Sequence, residues 1–155
     1  MAISQATGTE IVRTVHLRLD AADTADKYLI YGEQHHIYTV LNITAWARSA
    51  ATTGLFVWIQ GYESADGTAD NSSKTAQQIG LFRWLSGGLY DTYVWNDKFS
   101  FNGFEPTDFG AGLDATKQTA IAAQGSSVAQ KLIATKLHNT DQFDVTCTFI
   151  DQNNS

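Results

Sequence analysis

The chain has 155 residues, the length of one ordinary domain, and this is enough to bury a hydrophobic core without help from a disulfide or a metal. Acidic residues outnumber basic ones by 16 to 10, which argues against nucleic acid as a partner because phosphate recognition needs a basic surface. The longest apolar run covers only residues 55–59 and the first basic residue is Arg13, so we expect neither a membrane span nor a secretory signal.

The composition predicts sheet rather than helix. Threonine and the aromatic residues, 18 of each, accompany only four glutamates, one methionine and one proline. Threonine and aromatic side chains favour the pleated surface of a strand, whereas the long unbranched helix formers are scarce. Charged residues make up only 17% of the chain, which indicates that part of the surface is buried against partners.

Four strands are predicted in the first part of the chain, over residues 14–19, 27–31, 37–48 and 55–62. The third places Leu41, Ile43, Ala45 and Ala47 on one face and Tyr38, Val40, Asn42, Thr44, Trp46 and Arg48 on the other. The fourth has apolar residues on both faces, which is typical of a central strand that is buried on both sides.

The middle of the chain begins with a surface loop over residues 63–78, which is rich in Ser, Asp, Gly, Asn and Thr. Residues 79–85 and 89–95 flank Ser86-Gly87-Gly88, so we predict a hairpin there. Residues 96–112 are interpreted as an irregular loop that carries Phe99, Phe101, Phe104 and Phe109.

The end of the chain gives the clearest strand. Residues 115–123 and 128–137 fit either helix or strand, but residues 143–150 alternate strictly. Phe143, Cys147 and Phe149 fall on one face of that strand, with Val145 on the same or an adjoining packed row. Because Cys147 is the only cysteine, it forms no internal disulfide, and we expect it to be a buried thiol.

These segments predict an all-β protein, a single antiparallel β-sandwich of about eight strands over residues 11–155, after a flexible N-terminal arm at residues 1–10. Jelly-roll and immunoglobulin-like topologies both fit the pattern. The paired cysteines of true immunoglobulin domains are absent, and we favour the jelly roll.

The sequence predicts no catalytic, cofactor or metal site. Glu33, His35 and His36 come closest to a ligand set, but they lack a further ligand and the His-x-His spacing of a cupin. No paired acids and no Gly-x-Ser-x-Gly motif are recognisable, so we expect a protein that is not an enzyme.

Six aromatic residues crowd into residues 84–101: Trp84, Tyr90, Tyr93, Trp95, Phe99 and Phe101. Exposed Trp and Tyr rings would suit the stacking of a sugar, which makes a carbohydrate- or receptor-binding module the alternative function and a glycan the alternative ligand. Phenylalanine lacks the polar atom that sugar sites favour, so we prefer a subunit interface. The predicted interface residues are Phe99, Phe101, Phe104, Phe109, Trp84 and Trp95.

The two ends of the chain resemble the small β-sandwich virion proteins of tailed bacteriophages. The resemblance rests on residues 14–20, Thr-Val-His-Leu-Arg-Leu-Asp, with the polar turn and apolar strand that follow, and on the polar turn at residues 138–142 before the alternating last strand. It implies a capsid decoration protein or another accessory virion protein, often a trimer of jelly rolls on the shell. Its partners would be further copies of itself and a major capsid or other virion protein, and it would be made in the host cytoplasm.

Overall fold

A computed structural model describes residues 8–23, 26–61, 77–85, 88–106, 115–116, 119, 123–124 and 127–154. Within these ranges the chain forms eleven strands: β1 (Glu10–Leu19), β2 (Lys27–Tyr31), β3 (His36–Ala47), β4 (Leu55–Gly61), β5 (Gln77–Trp84), β6 (Thr92–Trp95), β7 (Phe99–Asn102), β8 (Phe104–Pro106), β9 (Ser127–Ala129), β10 (Lys131–Lys136) and β11 (Phe143–Asn153). The prediction of an all-β protein is confirmed.

The strands form two main sheets in which all neighbours are antiparallel. The first sheet has the order β1-β11-β3-β6, with β7 also paired to β3, and the second has the order β2-β10-β4-β5. The pairs are nested along the chain, so that each pair lies in sequence between the two strands of the pair before it. From outermost to innermost, the pairs are β1 with β11, β2 with β10, β3 with β6 and β7, and β4 with β5. This nesting is the jelly-roll topology that the sequence predicts.

The strand count exceeds the eight predicted for two reasons. The sixth strand of the nested set is divided into β6 and β7, both of which pair with β3. In addition, β8 and β9 form a small separate sheet. Eight jelly-roll positions are therefore filled by nine strands, and the β8–β9 pair accounts for the other two.

The core lies between the two main sheets, and β11 shows how the alternation builds it. Phe143, Val145, Cys147 and Phe149 are buried, whereas the residues between them are only half-buried. The opposite sheet contributes inward side chains from β4 and β10, which include Leu55, Val57, Leu132 and Ala134. The predicted inward face of the last strand, including its buried thiol, is confirmed.

The predicted faces of the third strand are wrong in its first half. Asn42 lies opposite Thr148 and Val40 lies opposite Phe149, so the register slips by one residue at Leu41. This irregularity places Tyr38 and Val40 in the core on the same side as Ile43. A simple two-residue period cannot anticipate it, because one extra residue exchanges the two faces of a strand.

The predicted hairpin at residues 79–95 is also wrong. β5 pairs with β4 in the second sheet, whereas β6 pairs with β3 in the first. The connection therefore crosses from one sheet to the other. The predicted irregular loop at residues 96–112 contains two strands, β7 and β8, so Phe99, Phe101 and Phe104 lie on strands; residues 107–112 are outside the described ranges.

The sheet begins before residue 11. β1 starts at Glu10, the Gly8 amide donates a hydrogen bond to the Asn153 carbonyl at 2.6 Å, and the Asn153 amide donates to the Thr9 carbonyl at 3.1 Å. The end of the predicted arm is thus paired with the last strand, and residues 1–7 are outside the described ranges.

A buried carboxylate fixes the loop between β3 and β4. Asp141 has no exposed surface, and it accepts hydrogen bonds from the amides of Thr52, Thr53 and Gly54 at 2.7, 3.0 and 2.9 Å. Gly54 has a φ of +99°, and a Cβ there would overlap the carbonyl oxygen of Trp84. Only glycine fits this approach between the β3–β4 loop and the end of β5.

Replacing Asp141 with Asn is expected to destabilise the fold. It is also expected to reduce the loss of stability that the protein shows as the pH is lowered. Burial alone would raise the pKa of Asp141, but the three backbone N–H donors outweigh it and hold the pKa below its usual value. The carboxylate therefore stabilises the fold above its unfolded-state pKa, and this contribution is lost as pH falls through the folded-state pKa. We expect Asp141→Asn to cost about 2 kcal/mol at neutral pH and less in acid.

Urea denaturation as a function of pH measures this effect. Asp144→Asn is the matched control, because Asp144 belongs to an exposed ion pair with Arg18 at 3.0 Å and such pairs contribute about 0–1 kcal/mol. Equal destabilisation by the two variants would contradict the role assigned to Asp141. So would an Asp141→Asn variant whose stability falls at low pH as steeply as that of the wild type.

The Cys147 thiol is expected to resist labelling in the folded protein. Cys147 is fully buried, and burial raises its pKa to about 12, so both access and thiolate formation are suppressed. A chromogenic thiol reagent should react at least a hundred times more slowly in buffer than in denaturant. Equal rates would show that the residue is not in the core.

Candidate functional site

Five of the six predicted interface residues are within the described ranges, and four of these line one side of the sandwich. Trp84 comes from β5, Trp95 from β6, and Phe99 and Phe101 from β7. All four are half-buried and pack against the core. Phe104 is half-buried on β8, and Phe109 is outside the described ranges.

These four residues belong to a continuous row of rings between the two sheets. The contacts run from Tyr38 to Phe101, Phe99, Trp95, Phe82, Tyr93 and Trp84, with successive ring centroids 4.9–6.3 Å apart. Alternation along β7 turns both Phe99 and Phe101 inward, so the chain packs these two rings against its own core. Their role in a subunit interface stays a prediction.

A different group of aromatic and aliphatic side chains is exposed on the outer face of the first sheet. We call it the Trp46 patch, and it consists of Trp46, Leu89, Tyr90 and Val94. Tyr90 is 64% exposed and Trp46 is 37% exposed. The Trp46 and Tyr90 rings stack with centroids 5.6 Å apart and an interplanar angle of 15°.

The backbone holds this stacked pair in place. The Tyr90 amide donates to the Ala47 carbonyl and the Ala47 amide donates to the Asp91 carbonyl, each at 2.9 Å. The Trp46 indole N–H donates to the Tyr90 carbonyl at 3.2 Å. Tyr90 has a φ of +67°, a left-handed conformation that costs a non-glycine residue about 1 kcal/mol or more. The fold thus keeps an exposed ring at the expense of backbone strain.

The outer face of the first sheet carries several hydroxyl pairs, and its charged residues lie beside Trp46, where Asp144 is the cross-strand neighbour of Trp46 and lies 3.8 Å from Arg48. Its cross-strand pairs include Thr14 with Thr148 at 3.2 Å, His16 with Thr146 at 3.0 Å and Thr39 with Ser100 at 2.8 Å. The Arg18–Asp144 ion pair bridges β1 and β11 on the same face. The low charged fraction of the sequence therefore has a structural counterpart in a hydroxyl-rich outer surface.

The histidines predicted as weak metal-ligand candidates are separated. His36 Nδ1 lies 2.6 Å from an Asp151 oxygen, and its Nε2 lies 3.9 Å from Glu33. The His35 backbone amide donates to the Gln124 side chain, while His16 contacts Thr146. Within the described part of the chain, no group of three or more His, Cys, Asp or Glu side chains is placed to hold a metal ion.

Sequence reasoning missed a polar cluster on the inner face of the first sheet. Asp151 is 2% exposed and contacts both His36 and Arg13, the latter at 2.8 Å. The two-residue alternation of β11, if extended past residue 150, places Asp151 on the inner face, because Asp151 follows Phe149 in the inward series. The predicted strand ended at residue 150 and so excluded it.

The described residues contain no helix that is long and apolar enough to cross a membrane. No protein-family model matches the chain, and no curated protein matches it.

Two solved structures show a weak likeness to this chain. One is a chain from Bacillus endospore appendages, reported as a novel family of disulfide-linked pili, with 12% identity and a TM-score of 0.38 over 100% of this chain and 97% of that one. The other comes from T=1 particles derived from infectious bursal virus, with 11% identity and a TM-score of 0.22 over 98% of this chain and 42% of that one. Scores this low leave the function to be argued from the chain's own surfaces.

Proposed function

We propose that the protein is a non-enzymatic structural protein of a virus particle, which decorates or stabilises a phage capsid as a homo-oligomer, with a homotrimer as the expected state. The Trp46 patch carries the proposal. It is the surface that we assign to the contact between copies, whereas a further surface of the oligomer binds the major capsid protein or another virion protein.

Three properties of the Trp46 patch support a protein partner. Trp and Tyr are the residues that dominate binding energy at interfaces, and here they are stacked and held by backbone hydrogen bonds before any partner arrives. Leu89 and Val94, each 52% exposed, extend the apolar surface beside them. The charges beside Trp46 are paired with one another, Asp144 with Arg18 at 3.0 Å and with Arg48 at 3.8 Å, so a contact there leaves none of these three charges without a partner.

The jelly roll is also consistent with this proposal, because viral capsid domains are among the proteins that use it. A fold alone does not assign a function, and lectins and cupins share the same architecture. The choice among them therefore rests on the exposed side chains.

The proposal that the protein is not an enzyme rests on how the two buried aspartates of the described ranges, Asp141 and Asp151, are used. Asp141 binds three loop amides, and Asp151 binds His36 and Arg13. General acid–base chemistry would need such a carboxylate to face a reacting group instead. Both aspartates hold protein groups in place.

The chemistry of the chain suits a virion protein made in the host cytoplasm, without nucleic acid or membrane as partners. The net charge of −6 opposes phosphate binding, and the single cysteine is a buried thiol that needs no oxidising compartment.

A carbohydrate-binding module is the second candidate, and the stacked Trp46–Tyr90 pair is the observation that favours it. Exposed aromatic faces can stack against a sugar ring. Trp84 and Trp95, the rings first considered for this role, are turned between the sheets and packed on Tyr93 and Phe82. A glycan site would therefore use Trp46 and Tyr90.

Replacing Trp46 or Tyr90 with Ala is expected to weaken self-association by about 2 kcal/mol, or roughly 30-fold in the dissociation constant, while the sandwich stays folded. Light scattering over a concentration series measures this change. Tyr28→Ala is the matched control, since Tyr28 is 49% exposed but lies on β2 in the other sheet.

The carbohydrate-binding function predicts a different set of results. If the wild type is strictly monomeric at high concentration and does not bind phage shells, but binds a glycan with an affinity that Trp46→Ala abolishes, the carbohydrate-binding function replaces the structural one. Loss of association in Tyr28→Ala to the same degree would remove the assignment to the Trp46 patch.

A further inference from the structure

A cleft lies at the side of the sandwich formed by β1 and β2, and Tyr38, the first ring of the aromatic row, also lines it. β1 is the edge strand of the first sheet and β2 is the edge strand of the second, and the cleft opens between them. It has a volume of about 190 Å³. Its polar lining is Arg13, Glu33 and Tyr38, and its apolar lining includes Val15, Leu29 and Phe149. The volume suits a ligand smaller than a typical drug molecule.

Arg13 lies on the inward side of β1 and is held at the wall of this cleft. Its Nη1 donates to Asp151 at 2.8 Å, and its guanidinium carbon lies 5.6 Å from the centre of the Phe149 ring. Asp151 is itself fixed by His36 at 2.6 Å. A guanidinium has five N–H donors, and within the described ranges only one of them has a protein acceptor. The others are available to a carboxylate in a fixed orientation.

Tyr38 provides a second donor at the cleft. Its hydroxyl accepts a hydrogen bond from the Glu33 amide at 3.1 Å, and no acceptor for its own proton is present among the described residues. Burial, followed by the nearby Asp151 and Glu33 carboxylates, raises the pKa of Tyr38. The hydroxyl therefore keeps its proton at neutral pH and can donate it.

The charges at the cleft select against a simple anion. One guanidinium stands against two carboxylates, Asp151 at 3% and Glu33 at 35% side-chain exposure. Asp151 is already occupied by Arg13 and His36, whereas Glu33 is more exposed, lies 3.9 Å from His36 Nε2, and is the carboxylate that can accept from a ligand. A ligand that pairs a carboxylate with a cation fits this charge pattern better than either charge alone.

We propose that the cleft between β1 and β2 binds a small zwitterion with an aliphatic tail, of the chemical class of a free aliphatic amino acid. The carboxylate lies on Arg13 and the Tyr38 hydroxyl, the ammonium lies on Glu33, and the tail lies against Val15 and Leu29. This site is on the inner side of the first sheet, whereas the Trp46 patch is on its outer face, so it does not depend on the proposed structural role.

Titration of the full chain with L-leucine, followed by two-dimensional amide NMR, tests the site. We expect saturable shifts at the Leu29 and Glu33 amides and at the Arg13 Nε–H. 4-Methylpentanoate is leucine without the ammonium and isopentylamine is leucine without the carboxylate, so each should bind about tenfold more weakly than leucine. Absence of saturable shifts at these three groups would overturn the proposal.

Variants of the protein test the contacts to the carboxylate and to the ammonium of the ligand separately. Arg13→Gln and Tyr38→Phe should each weaken leucine binding, about tenfold for Arg13→Gln, and leave isopentylamine binding unaffected. Glu33→Gln should weaken the binding of leucine but not of 4-methylpentanoate. Arg18→Gln is the matched control, because it removes an exposed arginine five residues away on the opposite, outer face of β1.

Folding of each variant is checked by the slow labelling of Cys147. Should Arg13→Gln fail to fold, Tyr38→Phe and Glu33→Gln still decide the matter, because together they report on both ends of the ligand. Unchanged leucine affinity in both of these folded variants would overturn the site.

Discussion

The register of β11 between β1 and β3 is the constraint on which the rest of the structure depends. β11 is an interior strand of the first sheet, and its antiparallel pairing with β1 and β3 runs over almost its whole length. One choice of register places Phe143, Cys147 and Phe149 against the second sheet and leaves the threonines between them on the outer face. Shifting it by one residue would exchange these faces, so that the core would be made of hydroxyls.

The same register creates the two surfaces to which we assign function. On the inner face, the inward series of β11 continues from Phe149 to Asp151, which reaches Arg13 on β1 and His36 on β3. On the outer face, pairing of β3 with β6 brings Trp46 beside the residues of the β5–β6 connection. β11 therefore builds the core with its inward apolar residues and positions the charged cluster with Asp151, the next inward residue.

Close backbone approaches hold the connections around this framework. Asp141 gathers three amides of the β3–β4 loop, and a Cβ on Gly103 would overlap the Glu33 carbonyl oxygen. Gly103 also donates its amide to the His36 carbonyl at 2.8 Å. The β2–β3 loop that carries Glu33, and the start of β3 at His36, are therefore fixed by backbone contacts, which gives the cleft a defined wall.

The sequence by itself determined the all-β class, the bounds of β2 and the buried face of β11 with Cys147, because composition, a short apolar run and an uninterrupted two-residue period are local properties. It favoured the jelly roll over an immunoglobulin-like topology, and the strand order of the structure decided between them. Only the tertiary structure decided the slip at Leu41, the separation of β5 and β6 into different sheets, and the inward direction of Phe99 and Phe101. These depend on which strands become neighbours, a long-range property that local alternation does not contain. The same reason explains the sites: Trp46 with Tyr90, and Arg13 with Asp151, are far apart in sequence and meet only through strand pairing.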